Sequence, residues 1–264
     1  MKPIKTNKPG PEYYRPAQGF YNHFFPTTIF NGRVNLNHEE VRQHIDHVTA
    51  KIPKTIENID GDHLHRGNDY TTYFFQELKD ETHNQPWFTS FANQMKDSYV
   101  EYLRSQFHLD LAGLKRSDIH FFAWVNKYST KHSHSVHDHV RSRLSGTYYL
   151  TCENAQPITF INPANVAVFN NDVLNNDHLA EEDSQFIING AGSSQMEVKY
   201  MPKEGDFLLW PSYLLHYVHP SDEYENDNYQ RYSISFNLAH NMSLDNKEHG
   251  DELDYSFLME NNDV

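Results

Sequence analysis

From residue 119 onward the apolar positions of this chain come in short alternating runs, a period-two pattern that predicts strands. Ile119 to Asn126 opens the series. It continues through 145–152, 157–161, 166–169, 185–188, 195–201, 206–210 and 231–239, with Asn, Asp, Gly and Pro at the breaks. On the last of these, Arg231, Ser233, Ser235 and Asn237 share one face while Tyr232, Ile234, Phe236 and Leu238 share the other. Many short strands with no helical pattern between them predict a sandwich or a double-sheet jelly roll.

Upstream the period changes. Val41, Ile45, Val48 and Ile52 form one stripe of a helix predicted over 38–51. Asn37 can cap it, Glu40 can close a capping box, and Leu36 can staple to Val41. A second helix is predicted to start near Pro86, carrying Phe88, Phe91, Met95, Tyr102 and Leu103 on one side. Residues 1–20 read as an extended lead-in, 54–71 as polar and irregular, and Asp245 to Val264 as a frayed acidic tail. The expected organisation is a single domain: an N-terminal extension with helices over 1–118, a β core over 119–240 and a tail over 241–264.

Composition narrows the function classes. Hydrophobic residues make up only 38% and the mean hydropathy is −0.78, yet 17 Phe, 17 Tyr and 3 Trp supply large apolar surfaces. That aromatic content argues against global disorder. A formal net charge of −14 disfavours a nucleic-acid backbone as partner, while leaving a small-molecule or peptide substrate open. Cys152 is the single cysteine, which removes disulfide scaffolds and cysteine metal sites. Met1-Lys2-Pro3-Ile4 opens without an apolar signal region, and no long apolar run follows, so a soluble cytoplasmic protein with no membrane partner is expected.

The candidate chemistry begins at His137-Asp138-His139. On a strand, His137 and His139 point to one face and Asp138 to the other. Two imidazoles on one face need a third ligand to hold a metal while leaving positions open for substrate and oxygen. Other histidine pairs are weaker. His63-Leu64-His65 lies in a Gly- and Asp-rich stretch and reads as solvated. His44-Ile45-Asp46 falls inside the first helix, where neighbours two apart diverge and cannot share a metal. His132, His134, His137 and His139 together could equally be a solvent-exposed polar edge.

Gly205 to Ser212 reads as a turn, a buried strand and a break, delivering Tyr213-Leu214-Leu215-His216. Spacing alone leaves His216 and His219 both open as the distal ligand. His216 follows two leucines into a core-lined pocket, whereas His219 precedes Pro220 and an acidic stretch that suggests the rim. The polar face of 231–238 is either solvent-facing or the lining of a pocket. In the second case Arg231 and Ser233 form a fork for a carboxylate.

Several motifs occur in order: Trp124-Val125-Asn126, His137-x-His139, Leu144-Ser145-Gly146-Thr147-Tyr148-Tyr149-Leu150, Gly205-Asp206, Trp210-Pro211-Ser212, Leu215-His216-x-Val218-x-Pro220 and Arg231-x-Ser233-x-Ser235-Phe236-Asn237. Together they resemble the 2-oxoglutarate/iron(II)-dependent oxygenase family of the double-stranded β-helix type, with members in marine bacteria and phages. The resemblance covers about 119–239 and extends loosely to Phe24-Phe25-Pro26 and the two helices.

It implies a mainly β fold, a double-stranded β-helix (jelly roll) with buttressing N-terminal helices. It also implies a dioxygenase using Fe(II), 2-oxoglutarate as cosubstrate and O2. His137, His139 and His216 would be the metal ligands, and Arg231 and Ser233 would hold the distal carboxylate of 2-oxoglutarate. Tyr149, which shares parity with Thr147, would be a wall or a 2-oxoglutarate contact. Where the wider superfamily has Asp, this chain has His139, and an imidazole there would fill the position that halogenases vacate for halide. The implied reaction is C–H hydroxylation coupled to oxidative decarboxylation of 2-oxoglutarate. Two alternatives stay open on the residues alone: a cupin-like three-histidine dioxygenase that does not use 2-oxoglutarate, and a non-catalytic β-sandwich binding protein.

Overall fold

The computed structural model describes residues 19–24, 27–52, 70–107, 111, 114–129, 133–139, 142–151, 157–163, 186–189, 197–218 and 230–240. Its strands are β1 (Gly19–Phe24), β2 (Thr27–Arg33), β3 (Tyr70–Thr71), β4 (Ile119–Ser129), β5 (His134–His137), β6 (Leu144–Tyr149), β7 (Ile158–Ile161), β8 (Phe186–Asn189), β9 (Glu197–Tyr200), β10 (Asp206–Pro211), β11 (His216–Val218) and β12 (Gln230–His240). Among the described residues the helices are α1 (His38–Thr49), α2 (Gln76–His83) and α3 (Pro86–Phe107), with a 3-10 turn at Arg116–Asp118.

Four antiparallel pairings are nested within one another: β4 with β12, β5 with β11, β6 with β10, and β7 with β9. A long hairpin with that nesting, rolled so that successive pairs join opposite sheets, is a double-stranded β-helix. The large sheet runs β1-β2-β10-β6-β12-β4-β3 and the small one β5-β11-β7-β9-β8. The fold is the mainly β jelly roll expected from the sequence.

The alternation on β12 divides the protein into layers. Tyr232, Ile234, Phe236 and Leu238 face outward into a cluster with Phe91, Met95 and Tyr148, so α1 and α3 cover the back of the large sheet. Between the sheets a smaller apolar cluster forms from Ile29, Phe160, Leu208, Trp210, Leu214 and Val218. The rest of the inner face is polar, and it belongs to the site. Gly146 permits close cross-strand packing opposite Phe236, since a Cβ there would lie 2.5 Å from that ring and 2.4 Å from the Leu208 carbonyl. Gly205 turns the chain into β10 with φ of 85°, a left-handed conformation that side chains disfavour.

α1 starts where expected, with the Asn37 side chain accepting from Glu40 N, and ends at Thr49, two residues short of the predicted end. Two features differ from the sequence expectation. The N-terminal extension contributes strands as well as helices: β1 and β2 form a hairpin whose second strand pairs with β10. Clean alternation is missing in β2 because Ile29 packs between the sheets and Phe30 packs on the helical side, both buried. α2 was also unexpected. Its buried positions are Leu78, Lys79 and Thr82, which make no apolar stripe. The predicted strand at 166–169, His63 to His65, Cys152, His219 and the acidic tail lie outside the described residues. Among the described residues no helix is long and apolar enough to cross a membrane.

Candidate metal centre and anion clamp

β5 and β11 are cross-strand neighbours in the small sheet, and their register pairs His137 with His216 directly. His139 is not on the strand, as the sequence had suggested, but two residues beyond its end. Its backbone N–H donates to the Ser212 carbonyl at 2.9 Å, which fixes the loop against the end of β10. The alternation nevertheless persists: His137 and His139 are half-buried and Asp138 between them is exposed. His44 sits in α1 and bonds Thr82 in the helical layer, away from this cluster.

One side-chain nitrogen from each of His137, His139 and His216 lies within 4.8 Å of the other two. Two of the rings have a fixed tautomer. His216 Nδ1 is 2.9 Å from the Leu214 carbonyl and His137 Nδ1 is 2.8 Å from the Ser135 carbonyl. Only a ring N–H can be donated to a carbonyl, so each Nδ1 carries the proton and each Nε2 keeps a lone pair. His139 Nε2 is 3.2 Å from His216 Nε2. Two nitrogens bound to one metal at a right angle, each about 2.1 Å away, are roughly 3.0 Å apart. The donor set therefore fits a divalent transition metal.

Burial, followed by the neighbouring His137 and His139, pushes the His216 imidazole well below its ordinary range, against a weaker opposing effect of the Leu214 carbonyl. A neutral ring is the form a metal requires. Trp124 stacks near-parallel on His139 at 6.0 Å, and Trp210 meets His216 edge-on at 5.0 Å, so the imidazoles are walled by indoles.

The three imidazoles line a pocket of about 460 Å³, including its mouth, together with Arg231, Ser233 and Ser235 of β12 and Asn126 and Tyr128 of β4. Arg231 is buried and its Nε has no hydrogen-bond partner among the described residues. The guanidinium lies 5.8 Å from the Tyr128 ring centroid, and no carboxylate of the described residues forms an ion pair with it. Leaving a buried charge without a counter-charge costs about 3–5 kcal/mol. A bound carboxylate would offset that cost. Ser233 is buried beside it, cross-strand from both Asn126 and Tyr149.

Asn126 organises this part of the lining. Its amide Nδ2 donates to Ser233 Oγ at 3.4 Å and to Ser235 Oγ at 3.0 Å, while its Oδ1 accepts from Tyr128 OH at 2.9 Å. Tyr149 is buried in the wall, and its neighbour Tyr148 faces the helices instead, where its hydroxyl bonds the Val34 carbonyl. Asn126, Tyr128 and Thr147 were not singled out as site residues from sequence. The parity of β4 could have found the first two, because Trp124, Asn126 and Tyr128 share a face and a polar Asn within an apolar strand needs a partner.

Residues 122–237 match the family described as "Putative 2OG-Fe(II) oxygenase". The match runs from Phe122 to Asn237, which are themselves paired across β4 and β12, so it encloses the whole pocket. The part of the chain that holds the pocket is thus similar to 2-oxoglutarate- and iron(II)-dependent oxygenases, and its three-imidazole cluster fits the iron named in that description. No curated protein matches the chain.

Among solved structures it is similar to HygX from Streptomyces hygroscopicus with nickel and 2-oxoglutarate bound, at 11% identity and TM-score 0.45, covering 82% of this chain and 84% of that one. A full-length Neurospora crassa protein in complex with alpha-KG gives 12% identity and TM-score 0.45, with 81% and 75% covered. A Pseudomonas putida prolyl-4-hydroxylase gives 13% identity and TM-score 0.38, with 60% and 68% covered. At these values the neighbours assign no residue of this chain.

Proposed function

We propose that His137, His139 and His216 hold iron(II), that Arg231 and Ser233 hold the far carboxylate of 2-oxoglutarate, and that the enzyme hydroxylates a C–H bond of a small-molecule or peptide substrate. The observation that supports this reading is the buried Arg231, with no ion-pair partner among the described residues, lining the same pocket as the imidazole cluster. A dicarboxylate with a 2-oxo acid at one end fits both: the far carboxylate neutralises Arg231 and the oxo acid reaches the metal.

Bound iron(II) supplies the positions on which the oxo acid chelates and oxygen is activated. The chain's own residues do the rest. Arg231 and Ser233 orient the cosubstrate, and Asn126 holds the two serine hydroxyls in place. Tyr149 walls its path, and Trp124, Ile158 and Val218 keep the pocket partly apolar. With iron bound, the His139 imidazole would fill a position that a halide would otherwise need, which favours hydroxylation over halogenation. The overall balance is 2-oxoglutarate plus O2 plus R–H giving succinate, CO2 and R–OH, with one oxygen atom entering succinate and one the product.

The test is succinate formation under air with iron(II) and ascorbate. Wild type turns over 2-oxoglutarate slowly without substrate, and a host extract accelerates it and yields a product labelled from 18O2. Should iron bind without any succinate appearing, a three-histidine dioxygenase that does not use 2-oxoglutarate replaces this reading. Should iron not bind, a non-catalytic sandwich does.

A further inference from the structure

Three motif residues have no part in the clamp or the imidazole cluster: Ser145, Ser212 and Asn237. They form one hydrogen-bonded chain. Ser145 Oγ lies 2.8 Å from Ser212 Oγ and 2.9 Å from Asn237 Oδ1. Ser145 and Ser212 are buried. Because Asn237 Oδ1 can only accept, Ser145 donates to it, and Ser212 must then donate to Ser145. The direction of the whole chain is fixed, with both hydroxyl protons committed. Ser145 and Asn237 are direct cross-strand partners on β6 and β12, so this chain ties Ser212 to the two central strands of the large sheet.

The Ser212 backbone in turn holds the loop that carries His139. Its carbonyl accepts from His139 N at 2.9 Å, and its N–H donates to the Arg143 carbonyl at 3.1 Å, so His139 and Arg143 are both pinned to one residue. Two residues later, in the same turn, the Leu214 carbonyl fixes the His216 ring through Nδ1. One turn therefore sets the positions of two imidazoles that are far apart in the sequence. His139 needs this more than His137 or His216 does, since those two lie on paired strands and His139 does not.

We infer that Ser212 is a positioning residue: its hydroxyl, locked by Ser145 and Asn237, fixes the turn that holds His139 at ligand distance from His216. This rests on the proposed metal site. Partners one shell out from a ligand typically change metal affinity about 10- to 100-fold when removed.

The experiment uses the full chain with Co(II) as probe, titrated into wild type, Ser212→Ala, Ser145→Ala and the double variant. Each single change weakens Co(II) binding about 10-fold and alters its visible ligand-field bands, and the double variant is no worse than the weaker single, because both break one chain. Metal-free thermal midpoints stay within a few degrees of wild type. A second readout needs no metal: amide hydrogen exchange at His139 in the metal-free protein speeds up in Ser212→Ala. Unchanged Co(II) affinity with unchanged His139 exchange overturns the inference, as does an affinity loss matched by a collapse of the metal-free midpoint. If wild type and His216→Ala bind Co(II) equally, the proposed metal site fails, and the exchange measurement still decides whether Ser212 positions His139.

Discussion

His139 and His216 lie 77 residues apart in the chain, yet their Nε2 atoms are 3.2 Å from each other and their rings are nearly parallel. With its proton on Nδ1, His216 presents the Nε2 lone pair toward His139 Nε2, so a cation placed between them would meet a donor atom from each ring. Under the proposed function the metal would depend on both rings. His216→Ala is expected to abolish stoichiometric iron, and His139→Ala to leave a two-histidine site with much weaker retention. Asp138→Ala should bind iron as wild type does, because that side chain is exposed on the opposite face. Iron content per chain after gel filtration checks all three. Metal loss in Asp138→Ala with retention in His139→Ala would move the ligand to the carboxylate.

His139→Asp separates ligand identity from ligand position. A carboxylate is an accepted iron donor, so iron is retained, though more weakly, since the shorter side chain must reach a geometry tolerant to about 0.2 Å. Equilibrium dialysis against Fe(II) under anaerobic conditions measures the difference. Binding as poor as in His139→Ala would mean that the loop anchored on Ser212 cannot bring a shorter donor to the metal.

The clamp makes a separate prediction. Arg231→Ala removes the buried guanidinium and should weaken 2-oxoglutarate binding by roughly 2–5 kcal/mol, while leaving Fe(II) affinity near wild type. Asn126→Ala should act in the same direction but less strongly, because it touches the serines and not the carboxylate. Isothermal titration with 2-oxoglutarate on the metal-loaded protein gives both values.

The sequence made the site legible to the extent that it follows strand parity. His137, His216, Arg231, Ser233 and Tyr149 sit on β-strands whose two-residue period decides which face each side chain takes, and the structure brings all five into one pocket. The placement of His139 beyond the end of β5 was not readable, because its anchor is a backbone bond to Ser212, far downstream in the chain. Long-range backbone bonding leaves no local pattern. The β1–β2 hairpin was hidden for a related reason: a strand buried on both faces does not alternate. α2 escaped because it buries Lys79 and Thr82, whose aliphatic portions pack while their polar ends bond backbone carbonyls.

Gly146 offers a prediction about the fold alone. A methyl group there would meet the Phe236 ring and the Leu208 carbonyl well inside contact distance, in the centre of the large sheet where neither neighbour can move freely. Gly146→Ala is expected to destabilise the protein by about 1–3 kcal/mol. Urea unfolding at fixed pH gives the value. A change below about 0.5 kcal/mol, the scale of an ordinary surface substitution, would indicate that Phe236 has an alternative rotamer in its cluster.

The last prediction is the pH dependence of stability. His240, at the end of β12, is buried with its Nδ1 2.5 Å from the Tyr99 hydroxyl, and its Nε2 has no hydrogen-bond partner among the described residues. Burial, with a smaller effect of Arg143, lowers this imidazole from 6.5 to about 4. Between those values the unfolded chain binds a proton that the folded one refuses, so stability rises with pH across the window. The contribution is fully present above pH 6.5 and is lost as pH falls toward 4. It is on the order of 2–3 kcal/mol. His44 and His83, also lowered chiefly by burial, act in the same sense and add to the slope. Replacing His240 by Phe should therefore flatten part of the profile without abolishing it. Urea midpoints measured for both proteins at intervals from about pH 7.5 to about pH 4.5 give the comparison, with metal excluded throughout by chelator so that loss of iron at the triad does not enter. Parallel profiles for the two proteins would mean that His240 is protonated in the folded state.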